Sequence, residues 1–298
     1  MDLGYELRDG KVITQSLEYS VAYHCNLRCA HCSHLSPYAT RQFPSLESFV
    51  SDVTALGAVL HAKTLRLLGG EPLLHPQIAD FAVAAKRSGI ADQVMVTTNG
   101  VLLDRAGDSF WDAVDLVLVT EYPGICLDEQ LARATVRARA SGAELWRYPV
   151  SRFRTTIVTE PHPMDWITAA IYHACEDVHL FQCHMVHEGY LYKCAVPPFL
   201  PEYVTRLRRG GYVPQRDGLA VHRSRDLFRD LQAFLTSGDV PESCRYCLGY
   251  LGVERDHRQL TPEQVEHPSS VPVARETHLD RGRLARALCT LAGDASSQ

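Results

Sequence analysis

Three cysteines fall within one short stretch, Cys25-Asn-Leu-Arg-Cys29-Ala-His-Cys32, in a C-x3-C-x2-C spacing. Three thiolates on one loop give a metal three ligands, one fewer than Zn2+ or a four-iron cluster takes. One coordination position is left open, and an open position points to chemistry rather than structural stapling. The CxxC of Cys29 and Cys32 is followed by Ser33, not His, which excludes c-type haem attachment. The competing reading is a zinc knuckle completed by His24, His31 or His34. Structural zinc more often joins two separated arms than one loop, so a [4Fe–4S] cluster with one open iron is preferred.

The rest of the chain can be read around that triplet. Residues 1–16 are polar and turn-rich, as in a short hairpin or arm. Leu17–His24 reads as a strand that delivers the cysteines. Ser45 is suited to cap a helix over Leu46–His61, whose apolar residues recur at helical spacing. Thr64–Leu68 is a second strand running into Gly69-Gly70-Glu71-Pro72. A helix over Ile78–Ser88, a strand over Gln93–Thr97 and the turn Thr98-Asn99-Gly100 follow. A short helix near Asp108–Val114, a strand Leu116–Thr120, a helix Leu127–Ser141 stopped by Gly142 and a strand Glu144–Tyr148 complete the series. Repeated strand–helix alternation predicts an α/β fold with a parallel sheet. Its polar motifs all fall at the C-terminal ends of strands, where such sheets bind ligands.

Composition excludes several classes. The net charge is −5 with 22% charged residues, which gives no basic footprint for nucleic acid. No run of 18 apolar residues exists, so no membrane-spanning helix is expected. The charged N-terminal stretch lacks the apolar segment of a signal peptide. A cytoplasmic location is therefore expected, and there clustered cysteines bind metal or react more often than they form disulfides.

C-x3-C-x2-C after a first strand, Gly69-Gly70-Glu71-Pro72 after the second and Thr97-Thr98-Asn99-Gly100 after the third together resemble the radical SAM superfamily. The resemblance covers residues 18–150 and implies a partial (β/α)6 barrel. It implies that Cys25, Cys29 and Cys32 bind three irons of a [4Fe–4S] cluster. The methionine amine and carboxylate of S-adenosylmethionine would chelate the fourth iron. Gly69, Gly70 and Glu71 would receive the methionine amine, the His31 backbone would contact adenine, and Thr98 and Asn99 would lie near the ribose or carboxylate. Reductive cleavage to a 5′-deoxyadenosyl radical, then hydrogen abstraction from substrate, is the implied chemistry.

A second cysteine set lies downstream. Cys183 and Cys194 flank a stretch that reads as a hairpin turning at Glu188-Gly189, and Cys244-Arg-Tyr-Cys247 adds a CxxC. These four resemble the ligands of a shortened auxiliary-cluster (twitch) domain, implying a second [4Fe–4S] cluster. Cys175 is the alternative to Cys183, and a zinc ribbon is the alternative to a cluster. Cys126 and Cys289 read as ordinary buried thiols. The expected organisation is a core over residues 1–165, an auxiliary domain over 166–252 and a tail with one helix over 253–298.

Four thiolates leave no open iron, so the second cluster is expected to accept electrons. A dehydrogenase-type oxidation of a small polar metabolite follows, with a sugar, aminocyclitol or nucleoside of specialised metabolism as substrate. A flavodoxin- or ferredoxin-type protein is the expected reductant. The alternatives are a peptide-modifying enzyme of the same superfamily and a non-catalytic metal-binding regulator. Glu121 and Tyr122, ending the fourth strand, and Arg152, after the last, are candidate substrate contacts. A loop acid and a packing ring are the competing readings of the first two. Arg147 and Arg154 accompany Arg152. The arginine excess over residues 206–229 reads as a solvated face.

Overall fold

The computed structural model describes residues 4–295. Strand β1 (Glu6–Arg8) and strand β2 (Lys11–Ala22) form an antiparallel hairpin. Its turn, Asp9-Gly10, has both residues at positive φ, 51° and 75°, as a two-residue hairpin turn requires. Of the hairpin or arm expected over residues 1–16, the hairpin is present, and its second strand is also the start of the central strand. Helix α1 (Leu46–Gly57) is capped by the Ser45 side chain, which accepts from the Ser48 N–H at 3.1 Å. It ends four residues earlier than its apolar spacing predicts, because Leu60 and His61 pair with Val12 and Ile13 as the start of β3 (Leu60–Gly69).

The alternation then continues as expected. Helix α2 (Ile78–Ser88) ends on Gly89 in the left-handed region, φ 62°. Strand β4 (Ala91–Thr98), helix α3 (Asp108–Ala113), strand β5 (Leu116–Glu121), helix α4 (Asp128–Ser141) and strand β6 (Glu144–Pro149) follow. Strands β2 to β6 are parallel neighbours in chain order. After β7 (Arg152–Arg154), strands β8 (Cys183–His187), β9 (Tyr190–Tyr192) and β10 (Gly218–Ala220) extend the same sheet on its other side. The hairpin expected between Cys183 and Cys194 is present, with Glu188 and Gly189 at φ 48° and 76°. Its first arm pairs in parallel with β2, Ser16 opposite Cys183 and Glu18 opposite Met185. The sheet order is β10-β9-β8-β2-β3-β4-β5-β6, an α/β sheet consistent with a partial radical SAM barrel.

Side-chain alternation divides the sheet into two faces. Leu17, Tyr19, Leu65, Leu67, Val94, Val96, Val117 and Val119 pack with α1 to α4 in one core. The opposite face carries Glu18, Arg66, Leu68, Met95 and Thr97 and is roofed partly by a second cluster that includes Ile157, Phe199, Tyr246 and Leu248. Strand β11 (Glu254–Asp256) pairs antiparallel with β7 and returns the C-terminal segment to this second face. No helix among the described residues is long and apolar enough to cross a membrane.

Candidate active site

A cavity of about 320 Å3 opens at the C-terminal ends of β2 to β5. Cys25, Cys29 and Cys32 form one wall, Gly69 and Gly70 another, and Thr98, Asn99 and Tyr122 a third. His31 also lines it, with φ 64°.

The two glycines sit where no side chain fits. A Cβ on Gly69 would stand 2.2 Å from the Ala22 carbonyl oxygen, and one on Gly70 would stand 1.9 Å from that of His24. Gly69 also has φ 133°, a conformation natural only to glycine. The close approach locks the turn onto the loop that starts the cysteines: Gly70 N–H donates to Ala22 C=O at 2.7 Å and Glu71 N–H to His24 C=O at 3.1 Å.

Glu71 does not face the cavity. Its side chain is fully buried and accepts from Leu73 N–H at 3.0 Å, Thr98 Oγ1 at 2.6 Å and Asn99 N–H at 2.9 Å. The carboxylate thereby ties the glycine turn to the Thr98-Asn99-Gly100 turn. Burial outweighs these three bonds and pushes its pKa up to about 7. Asn99 carries the link onward, donating from Nδ2 to Asn26 Oδ1 at 2.7 Å and to Cys25 Sγ at 3.6 Å.

The C-terminal segment straps the same loop, which sequence reading did not anticipate. Ala30 N–H donates to Arg258 C=O and Leu260 N–H to Arg28 C=O. Gln259 Nε2 donates to Cys29 Sγ at 3.3 Å. The His257 ring stacks on Tyr122 at 4.7 Å and 13°. These contacts span over 100 residues of sequence, and no local pattern announces them.

The donor set suits iron. Burial pushes the thiols of Cys25 and Cys29 up to about 12 and about 11, so they stay protonated until a bound cation displaces the protons. Among the described residues no three His, Cys, Asp or Glu side chains converge on one point. Thiols bound to separate irons of a cluster need not converge, whereas ligands of one tetrahedral ion must.

The downstream thiols group differently from expectation. Cys175, Cys194, Cys244 and Cys247 lie near enough for their charges to interact, and burial raises the pKa of all four. Cys247 Sγ accepts from Gly249 N–H at 3.1 Å, and a Cβ on Gly249 would stand 3.9 Å from that of Cys175. Cys183 instead lies beside Glu18, Arg66 and Asp177. Cys126 and Cys289, expected buried, are exposed.

Two of the three candidate substrate contacts are committed elsewhere. Glu121 forms a two-bond ion pair with Arg147 at 2.7 and 2.8 Å, which lowers its pKa. Arg152 pairs with Glu254 and Asp256 along β11. Tyr122 lines the cavity, and so does Arg154, one of the three arginines expected near a polar substrate.

A Radical SAM superfamily model matches residues 19–120. Over 95 residues, 32% of the chain, the sequence is 42% identical to GTP 3′,8-cyclase of Chlorobaculum tepidum. Over 91 residues, 29% of the chain, it is 35% identical to GTP 3′,8-cyclase of Desulforamulus reducens. The matched stretches are only 28% and 27% of those relatives' lengths. Among solved structures, BtrN in complex with AdoMet and 2-DOIA aligns over 80% of this chain and 94% of that one, at 14% identity and a TM-score of 0.43. Native anSMEcpe with bound AdoMet and Cp18Cys peptide aligns over 47% and 44%, at 19% identity and a TM-score of 0.36. Radical SAM proteins work with a [4Fe–4S] cluster and S-adenosylmethionine. Residues 19–120 are a Radical SAM superfamily domain.

Proposed function

We propose that this chain cleaves S-adenosylmethionine reductively and oxidises a small polar metabolite, a sugar, aminocyclitol or nucleoside, by two electrons. The observation that carries the reading is the single cavity walled by Cys25, Cys29 and Cys32 on one side and by Gly69, Gly70 and Asn99 on the other. The three cysteines are the ligands of the first cluster. The Gly69-Gly70 turn offers backbone to the methionine end of S-adenosylmethionine, and His31 offers backbone to its adenine. Thr98 and Asn99 flank the ribose or carboxylate. Glu71 keeps these turns in register.

The bound cofactors supply a 5′-deoxyadenosyl radical. The protein's task is to hold a substrate C–H beside it and keep water out. Tyr122, stacked on His257, and the strap over residues 254–260 close the cavity on that side. Cys175, Cys194, Cys244 and Cys247 would hold an auxiliary [4Fe–4S] cluster, with Cys175 taking the place expected of Cys183. A cluster held there would supply an acceptor for the second electron, and a flavodoxin- or ferredoxin-type protein would deliver the first.

A redox-neutral reaction is the second reading. The curated relatives are named as cyclases, but the matches cover only about a third of the chain. Anaerobic reconstitution separates the readings. Two four-iron clusters predict about eight irons per chain and 5′-deoxyadenosine on reduction. A product two hydrogens poorer than its substrate supports oxidation; a cyclised or rearranged isomer overturns it, and absence of 5′-deoxyadenosine overturns the radical reading altogether.

A further inference from the structure

Strand β2 is buried on both faces, yet from residue 16 its residues alternate apolar and polar. Leu17, Tyr19 and Val21 join the helix-covered core, while Ser16, Glu18 and Ser20 are buried on the other face. Buried strands of parallel sheets are ordinarily apolar throughout. A carboxylate in such a strand calls for a partner.

The register provides one across the sheet. Glu18 lies opposite Arg66 of β3, and Arg66 lies opposite Met95 of β4. One step further along the same face, Leu68 and Thr97 line the cavity. Glu18 and Arg66 therefore form the layer directly beneath it. His34, which lines the cavity, reaches down with Nε2 to 3.8 Å from Glu18 Oε2.

Yet this pair is not closed. Arg66 Nη1 stands 3.8 Å from Glu18 Oε1, too far for a hydrogen bond. The ion pairs Arg147–Glu121 and Arg133–Asp104 close to 2.7 and 2.8 Å. Among the described residues the buried Nε of Arg66 and Nε2 of His34 have no hydrogen-bond partner. A hydroxyl group lying alongside the pair can accept from the unpartnered Arg66 Nε and donate to the Glu18 carboxylate.

Charge selects what that hydroxyl belongs to. Arg66 is opposed by Glu18 and by Asp177, both of which feel its charge. The next cation, Arg154, is held by Glu254 Oε1 and by the Tyr250 and Gly252 carbonyls. Neither of these two cations is left unopposed for a phosphate. We propose that Glu18 and Arg66 form the floor of the substrate subsite and grip a hydroxyl of an uncharged or cationic polyol, discriminating against phosphorylated compounds. This rests on the radical reading above and adds the residues and charge class of the substrate.

The test uses anaerobically reconstituted holoenzyme saturated with S-adenosylmethionine, titrated calorimetrically with glucosamine, myo-inositol and GTP. At least one polyol is expected to bind the wild type. Glu18→Gln and Arg66→Met, which keep volume and apolar stem, are each expected to weaken that binding tenfold or more. Unaltered iron content, melting temperature and S-adenosylmethionine affinity show that the variants are folded; Arg66→Lys substitutes should Arg66→Met fail this control. The assignment is overturned if neither polyol binds, if the variants bind as the wild type does, or if GTP binds and loses affinity in Arg66→Met. Formation of 5′-deoxyadenosine by the wild type is scored separately. Its absence refutes the radical reading, whereas its presence with unchanged polyol binding in the variants refutes only the floor.

Discussion

Replacing Glu71 separates its role as a staple from the cost of burying its charge. Its carboxylate accepts three hydrogen bonds, two on Oε1 from Leu73 N–H and Thr98 Oγ1 and one on Oε2 from Asn99 N–H. Glu71→Ala orphans all three donors. Glu71→Gln keeps the carbonyl side, with two acceptor bonds, and turns an amide N–H2 toward Asn99 N–H, orphaning one. Both variants lose the same buried charge, so the relief of desolvation at pH 8 cancels between them. The difference is then two buried donors, each costing about 1–3 kcal/mol when left unsatisfied. Glu71→Ala is expected to be less stable than Glu71→Gln by about 2–6 kcal/mol. Urea unfolding at pH 8, followed by far-UV circular dichroism, measures the gap through the midpoint. Binding of S-adenosylmethionine to the reconstituted proteins should follow the same order, because slack in the Thr98–Asn99 turn loosens one wall of the cavity. Equal midpoints for the two variants refute the staple.

Iron content decides between the two readings of the downstream cysteines: Cys175→Ala should lower it from about eight to about four per chain, while Cys183→Ala leaves it unchanged, and the reverse result restores the expected set. The pH dependence of melting should rise between pH 4.5 and 6.5. The four buried imidazoles His31, His34, His184 and His187, lowered from 6.5 to about 4, outnumber Glu18 and Glu71, raised from 4.5 to about 7, so the unfolded chain binds more protons across that window. The double variant Glu18→Gln/Glu71→Gln should steepen the rise, and a flat or falling profile contradicts it. Gln259→Leu removes the N–H donor to Cys29 Sγ; such a bond favours the more negative, reduced state of a thiolate-bound cluster, so a spectroscopic redox titration should find a lower potential, and an unchanged one denies the bond a place in the loaded protein.

The order of strands and helices through residue 149 was legible because each carries a local signal: Ser45 as a cap, Gly89 and Gly142 as stops, β-branched runs between. The cavity was legible for a related reason, since Cys25, Gly69 and Asn99 all end adjacent parallel strands. What stayed hidden is non-local. Cys183 and Cys194 look paired across a hairpin, but β8 also pairs with β2, which brings Cys183 beside Glu18. Arg152 and Arg154 are indistinguishable in sequence; both pair with Glu254 of β11, and Arg154 alone of the two lines the cavity. The Glu18 floor did leave a trace, the buried polar alternation of β2, which is unusual for a strand covered on both faces.

The cysteine loop is held by parts of the chain that are far apart. Cys25 Sγ faces the Asn99 amide from the third parallel strand, and Cys29 Sγ faces the Gln259 amide from the C-terminal strap. Asn99 is in turn fixed by Glu71, and the strap by β11 on β7. A loop with three thiols and little secondary structure of its own would otherwise sample many shapes, at an entropic cost of about 1–2 kcal/mol for each backbone residue later ordered on a metal. Holding it from both ends of the fold settles that cost during folding. The same contacts couple the loop to the cavity wall at Thr98 and to the Tyr122–His257 stack, so the surfaces that would meet S-adenosylmethionine and substrate are set by one network rather than by separate elements.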